Sequence, residues 1–284
     1  MTDSNKTPDE LIKQVIAFLE KEREMYGDFS VQSFKKSSQN ETQASKANQQ
    51  LETAKNQPSH QKDNTIAEPS SPEKNGTSPS TDSGFDSPNV YNQIDKCNSL
   101  DELETLCRKT DVLRTDLEGT QLVFGVGNPH ADLMLIGEAP GAEEDKQGEP
   151  FVGKAGQLLN QILEAINFSR EDVYIANILK HRPPNNRNPN SEERRRSLPF
   201  LLRQIDLVNP KLILALGKVS AQTLLDNNLS LTKMRGKFHK FQKKYELLAT
   251  YHPAALLRHA KWKRPTWEDV QLLRKRYDEL GCTP

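Results

Sequence analysis

Apolar residues are rare before residue 90 and come in short, separated runs after it. The run Leu133-Met134-Leu135-Ile136, closed by Gly137, has the length and composition of a buried strand. A helical pattern follows over 157–166, then a strand over 173–179 and a helix over 191–207. Two more strands are predicted over 211–216 and 246–250, with a helix over 217–225 between them. A short helix over 253–259 and an amphipathic one over 267–280 close the chain. Alternation of this kind implies a parallel sheet covered on both faces. The expected fold is α/β, a three-layer sandwich around a central, mainly parallel four-stranded sheet. Gly137, Asn177 and Thr250 would end three of its strands at one carboxyl edge, where open sheets of this kind bind ligands.

The first third differs in kind. From Phe34 to Asn89 the chain is mostly Ser, Gln, Asn, Lys, Thr and Pro, too polar to offset the entropy of ordering, and it reads as a disordered linker. Ahead of it, residues 9–25 set Leu11, Ile12, Val15, Ile16, Phe18 and Leu19 on one helical stripe. Three parts are therefore expected: an N-terminal segment over 1–33, a linker over 34–90 and an α/β domain over 91–284. Net charge is zero over 284 residues, yet residues 1–95 carry 10 basic against 15 acidic side chains, leaving 29 against 24 beyond. An acidic tail on a basic body is compatible with nucleic acid and equally with ordinary surface charge. No apolar run reaches the roughly 18 residues of a membrane span, and no basic segment leads into an apolar one. Three cysteines without an evident pairing fit a reducing compartment, so the expected location is the cytoplasm.

Chemistry concentrates at the first strand end. Gly137-Glu138-Ala139-Pro140-Gly141 is followed by Glu143, Glu144 and Asp145, and then by Gly148-Glu149-Pro150-Phe151-Val152-Gly153-Lys154-Ala155-Gly156. Glycines let the backbone approach a ligand, and Phe151 is the one large planar surface in the stretch, which suits a flat, ring-shaped ligand. The loop resembles that of the family 4, thermostable-type uracil-DNA glycosylases. Three later segments agree with that family in order and spacing: Tyr174-Ile175-Ala176-Asn177-Ile178-Leu179-Lys180-His181-Arg182-Pro183-Pro184-Asn185-Asn186-Arg187, Pro199 to Ile205, and Tyr251-His252-Pro253-Ala254-Ala255-Leu256-Leu257-Arg258. The resemblance spans about residues 100–280.

The resemblance implies a DNA repair enzyme that extrudes uracil from the helix and hydrolyses its C1′–N1 bond, leaving an abasic site. It places Asn177 against uracil N3–H and O4, Phe151 against the ring, Gly137 and Ala139 along the pocket, and Glu144 at C5, where it would exclude a thymine methyl. His252 would donate to O2 as charge develops, and Glu138 would stabilise the sugar cation or position water. Ala139 occupies the place where the best-known glycosylase family has a water-activating Asp. Leu256 would fill the emptied stack, and Lys180, Arg182, Arg187 and Arg258 would contact phosphates. Each residue also has a plain reading: Asn177 as a loop cap, His252 as a helix-start residue, Phe151 and Leu256 as core, and Glu138 and Glu144 as a solvated acidic turn or N-cap cluster. The basic segment 233–244 reads either as a DNA-facing ribbon or as an exposed hairpin.

One departure stands out. The family resembled carries four cysteines around a [4Fe-4S] cluster, whereas only Cys107 falls at a matching position here; Thr110, His181 and Ser197 occupy the others. Thr and Ser are poor iron ligands, so the expectation is no cluster, no other metal and no cofactor. The expected partner is uracil-containing DNA, met as a monomer. Two alternatives are a uracil-DNA binder that does not turn over or is covalently trapped, and an interaction module whose working part is the 9–25 helix. Within that helix, residues 14–19 loosely resemble a sliding-clamp or repair-protein contact peptide.

Overall fold

The computed structural model describes residues 88–284. The N-terminal segment, nearly all of the linker, and with them the 9–25 helix and its clamp-peptide reading, lie outside the described residues.

The strands are β1 (Val126–Gly127), β2 (Leu133–Gly137), β3 (Tyr174–Asn177), β4 (Leu212–Leu216), β5 (Phe238–Phe241) and β6 (Tyr245–Thr250). They make one sheet in the order β1-β3-β2-β4-β6-β5. The inner four are parallel, with Gly137 opposite Asn177 and Leu216 opposite Thr250, so their carboxyl ends share one edge. Every residue of β2, β3 and β4 is buried, which is why each reads as a nearly continuous apolar run.

The helices are α1 (Pro88–Ile94), α2 (Leu100–Lys109), α3 (Ala142–Gln147), α4 (Lys154–Ala165), α5 (Ser191–Val208), α6 (Lys218–Leu225), α7 (Leu231–Met234), α8 (Pro253–Arg258) and α9 (Lys263–Glu279). The alternation of side chains along each strand assigns them to two layers. Met134, Ile136, Ile213 and Leu247 pack with Leu201 and Ile205 of α5 and Ala221 of α6. Leu133, Leu135, Leu212 and Leu248 pack with Leu159 and Leu163 of α4 and Val270 and Leu273 of α9. A third cluster, built on Val90, Leu103 and Cys107, closes over Phe200.

The sheet has six strands rather than the four expected, and the additions are antiparallel edges. β1 is two residues long and half glycine, too brief for periodicity to reveal. β5 carries polar residues on its exposed positions, as an edge strand can. The hairpin reading of 233–244 is the one the structure adopts: Lys244 N–H donates to Phe241 O across Gln242 and Lys243, both at positive φ, the mark of a type I′ turn. That turn precedes β6 and so lies at the edge opposite the strand ends named above. Among the described residues, no helix is long and apolar enough to cross a membrane.

The β6 and α9 layers are joined by Glu246, whose carboxylate accepts from Arg276 Nε at 2.8 Å and Nη2 at 3.0 Å and from Lys240 Nζ at 3.0 Å. Arg276's bonds hold the carboxyl at about 2, below its ordinary 4.5. A carboxyl depressed on folding contributes stability above its unfolded pKa and loses it as pH falls through the folded value. Glu246→Gln should therefore cost about 1 kcal/mol at neutral pH, and the cost should shrink as pH falls from 4.5 towards 2, as followed by thermal melts.

Candidate active site

β2 is followed on one face of the sheet by α4, and its neighbour β4 is followed on the other face by α6. Adjacent strands whose connections leave in opposite directions open a crevice at their carboxyl ends. The loops after β2, β3 and β6 meet there. Asn177, the last residue of β3, is 2 % exposed, and its Oδ1 is a buried acceptor with no hydrogen-bond partner. Gly137 sits beside it in the ladder; a β-carbon there would overlap Asn177 Oδ1 and lie 2.6 Å from Phe151 Cζ. The two side chains thus converge over a glycine that must lack a side chain. Phe151 in turn stacks with His252, their ring centroids 5.4 Å apart and 28° from parallel.

Phe151 holds φ at 56°, a conformation costly for a bulky residue and kept only where neighbours impose it. Three groups do so. Glu144 Oε1 accepts from Val152 and Gly153 N–H, both at 3.0 Å, while its Oε2 accepts from Gly141 N–H at 3.1 Å. Arg170 donates to Phe151 O at 3.2 Å, to Pro150 O and to Asn160 Oδ1. Gly156, in the first turn of α4, lies so close that a β-carbon would overlap the Phe151 carbonyl. Glu144 is thus the clamp of the loop, and both its oxygens are engaged by backbone. Of the acidic cluster, Glu144 alone acts at the start of α3, its carboxylate accepting the N–H of the N-cap residue Gly141.

His252 caps α8, its Nδ1 accepting from Ala254 N–H at 3.2 Å. A neutral ring with Nδ1 as acceptor carries its proton on Nε2. Burial holds this imidazole at about 4, helped by the positive Arg258 and opposed by Glu144, so the ring is neutral at physiological pH. The strand leading to it is anchored from behind: Thr250 Oγ1 donates to Asp269 Oδ2 at 2.7 Å, and Arg235 Nε donates to the same oxygen at 2.9 Å. Glu138 is half-buried next to Gly137, with burial raising its carboxyl above the ordinary range and Arg194 opposing. Ala139 is partly buried against the α5 and α6 layer.

Several predicted contacts lie elsewhere. Lys180 is fully buried, donating to Phe124 O at 3.1 Å, Asn177 O at 3.0 Å and Gln204 Oε1, so it cannot reach a phosphate. It holds the end of β3 instead. Arg187 makes a two-pronged pair with Glu193, both bonds 2.8 Å, and a further bond to Asp116. Arg182 is bonded to Asn186 Oδ1 at 2.7 Å. These two brace the loop after β3, while Arg258 is exposed beside the crevice. Leu256 is 3 % exposed in this structure, buried with Pro253 on one side of α8. Arg170 and Gln204 were not foreseen, since a long-range bond to backbone leaves no local pattern.

The four positions at which the resembled family carries cysteines are differently occupied. Cys107 is 1 % exposed among apolar residues, and burial pushes its thiol up to about 12. His181 Nδ1 bonds Thr120 Oγ1 at 3.0 Å, Ser197 Oγ donates to Ile178 O at 2.7 Å, and Thr110 Oγ1 accepts from Val112 N–H at 3.2 Å. The polar atoms at three of the four sites are thus engaged by protein, and the one thiol is strongly held in its protonated form.

The fold and crevice coincide with a known class. Residues 124–272 match the model of the uracil DNA glycosylase superfamily. A type-4 uracil-DNA glycosylase of Archaeoglobus fulgidus is 44 % identical over 158 residues, covering 53 % of this chain and 78 % of that one. The type-4 enzyme of Sulfurisphaera tokodaii is 42 % identical over 173 residues (58 % and 77 %), and that of Thermotoga maritima 42 % over 158 (55 % and 82 %). The chain belongs to the type-4 uracil-DNA glycosylase family. Replacing Glu144 by Ala should strip three backbone N–H groups of their acceptor, cost about 2 kcal/mol, and speed amide exchange at Val152 and Gly153 more than elsewhere.

Proposed function

We propose that the protein extrudes uracil from DNA, hydrolyses its C1′–N1 bond and leaves an abasic site. The observation that carries this reading is the buried, partnerless Oδ1 of Asn177 facing the space over Gly137 beside the Phe151 ring. An acceptor left unpaired in a dry site is costly unless a ligand supplies a donor. Uracil N3–H is such a donor, and the amide N–H group of Asn177 completes the pair at O4. Cytosine offers an acceptor at N3 and is disfavoured while the amide keeps this orientation. Phe151 would take the ring face.

As the glycosidic bond breaks, its electrons move onto the uracil ring and the sugar becomes cationic. The neutral His252 presents Nε2–H to O2, where the negative charge grows. A donor fixed in advance needs no reorganisation at that moment. Glu138, poorly hydrated and next to the crevice, supplies a negative charge for the sugar and a site to hold the water that attacks C1′. Ala139 offers no base, so leaving-group stabilisation carries the step. Glu144 acts by holding Phe151 in place, and its engaged oxygens argue against contact with C5.

The test is release of uracil from an oligonucleotide bearing one uracil. Asn177→Ala and His252→Ala should each lower the rate by about 100- to 1,000-fold. Burial holds His252 at about 4, so its contribution should stay constant from neutral pH down to about 5; towards pH 4 protonation of Nδ1 ends the bond from Ala254 N–H that fixes the ring, and the contribution should fall. Tight binding without release by the wild type would replace this reading with the trapped or non-turnover binder.

We further propose that the protein works without an iron–sulfur cluster, because the residues at the four positions do not fit one: Cys107 is the single thiol, and the other three are a Thr, a His and a Ser already bonded to protein groups. Protein purified without air should be colourless and contain no stoichiometric iron or sulfide. A brown protein with both would overturn this.

A further inference from the structure

The face that α9 turns to the sheet carries Thr266, Asp269, Val270, Leu273 and Tyr277, the spacing of a core-facing stripe with a carboxylate set in it. Asp269 is 0 % exposed. A buried ion pair is often less stabilising than apolar side chains of like size at the same place, so this stripe is not arranged for stability alone. What Asp269 holds is the end of β6. Its Oδ2 accepts from Thr250 Oγ1 at 2.7 Å and from Arg235 Nε at 2.9 Å, and the Arg235 guanidinium is itself braced on Pro265 O.

Thr250, Tyr251 and His252 are consecutive, and each side chain is fixed by a different contact. Thr250 is tied to Asp269. Tyr251 has the Arg235 guanidinium 6.0 Å from its ring centroid and stacks with Trp262 at 5.0 Å and 6° from parallel. His252 sets its Cβ so near Gly217 that a β-carbon added there would lie 3.0 Å away, and its Nδ1 closes the start of α8. Arg235 thus reaches both residues that precede the imidazole, one through Asp269 and one through the Tyr251 ring. With no exposed surface, Asp269 touches no substrate and can act only through what it holds.

A donor that meets developing charge must stand in its place beforehand, and a displacement of about 1 Å can cost about 100-fold in rate. We infer, on the uracil-excision reading above, that Asp269 and Arg235 are positioning residues for uracil release, aiming the Nε2–H of His252 by fixing the two residues before it. The test uses the full chain with three replacements made together, Thr250→Val, Asp269→Leu and Arg235→Met, which put apolar side chains of similar size where the polar trio stands. The melting temperature should hold or rise. The single-turnover rate of uracil release should fall about 10- to 100-fold, while the enzyme concentration that gives half the maximal rate changes little.

The same three replacements in a His252→Ala protein should lower its residual rate much less, because the group they aim is gone. Thr250→Ser, which keeps the hydroxyl donor, should keep most of the wild-type rate. If the triple variant does not fold, Thr250→Val alone, which lacks only the hydroxyl, goes through the same comparison. An unchanged rate in the folded variant, or an equal fold-loss with and without His252, would overturn the inference. So would a loss of rate that follows the loss of melting temperature from variant to variant, the mark of a merely structural role. No uracil release by the wild type, or a full rate in His252→Ala alone, would instead sink the excision reading on which the inference stands.

Discussion

A lysine ammonium with no access to water sits under the end of β3, and the site depends on its neighbours meeting its demands. Lys180 has three N–H donors and three acceptors around them: the carbonyls of Phe124 and Asn177 and the amide oxygen of Gln204. Gln204 also donates to Phe124 O at 3.1 Å and to the Tyr174 hydroxyl at 3.3 Å. Phe124, the end of β3 and α5 are thus tied to one buried amine. Burial pulls that amine down to about 7, and hydrogen bonds to three acceptors favour its charged form against that pull. Loss of one acceptor would leave a buried donor unpaired, which costs more than the bond itself contributes. The side chain of Asn177 projects from the same residue whose carbonyl Lys180 grips, so the backbone that carries it is held in place.

The other half of the crevice is arranged on the same principle with different parts. Phe151 occupies a backbone region that costs of order 1–3 kcal/mol, and the Glu144 clamp, the Arg170 fork and the close approach of α4 offset it. Polar bonds to main-chain atoms, rather than apolar packing alone, thus set where an aromatic ring stands. Facing it, a histidine made neutral by burial and fixed in one tautomer by its own helix start offers a donor without a charge. The crevice thus brings together a ring face, an unpartnered amide oxygen and a neutral imidazole.

Much of this was legible in the chain. The central strands could be read because burial on both faces removes polar residues from them, and the motif residues Gly137, Asn177 and His252 could be placed because each follows an apolar run. Burial of a charged residue is different in kind. Lys180, flanked by a basic His-Arg-Pro-Pro stretch, looks like a phosphate contact until its three acceptors, 3, 24 and 56 residues away, are seen. Arg187 likewise looks free until Glu193 folds back on it. The two leucines of α8 differ by 100° of helical phase, which six residues are too few to reveal. Glu144 carries both a plain and a chemical reading in sequence, and only the positions of the Gly141, Val152 and Gly153 amides decide between them.

The tight turn at Gln242 and Lys243 lies at the edge of the sheet remote from the crevice, joined to it only through the length of β5 and β6. Both residues are exposed, and their left-handed backbone is one that Asn or Gly would adopt with less cost. It is therefore the natural point of attachment for a fluorophore or a surface tether, from which the molecule would present its crevice outward with the nucleic-acid face unobstructed.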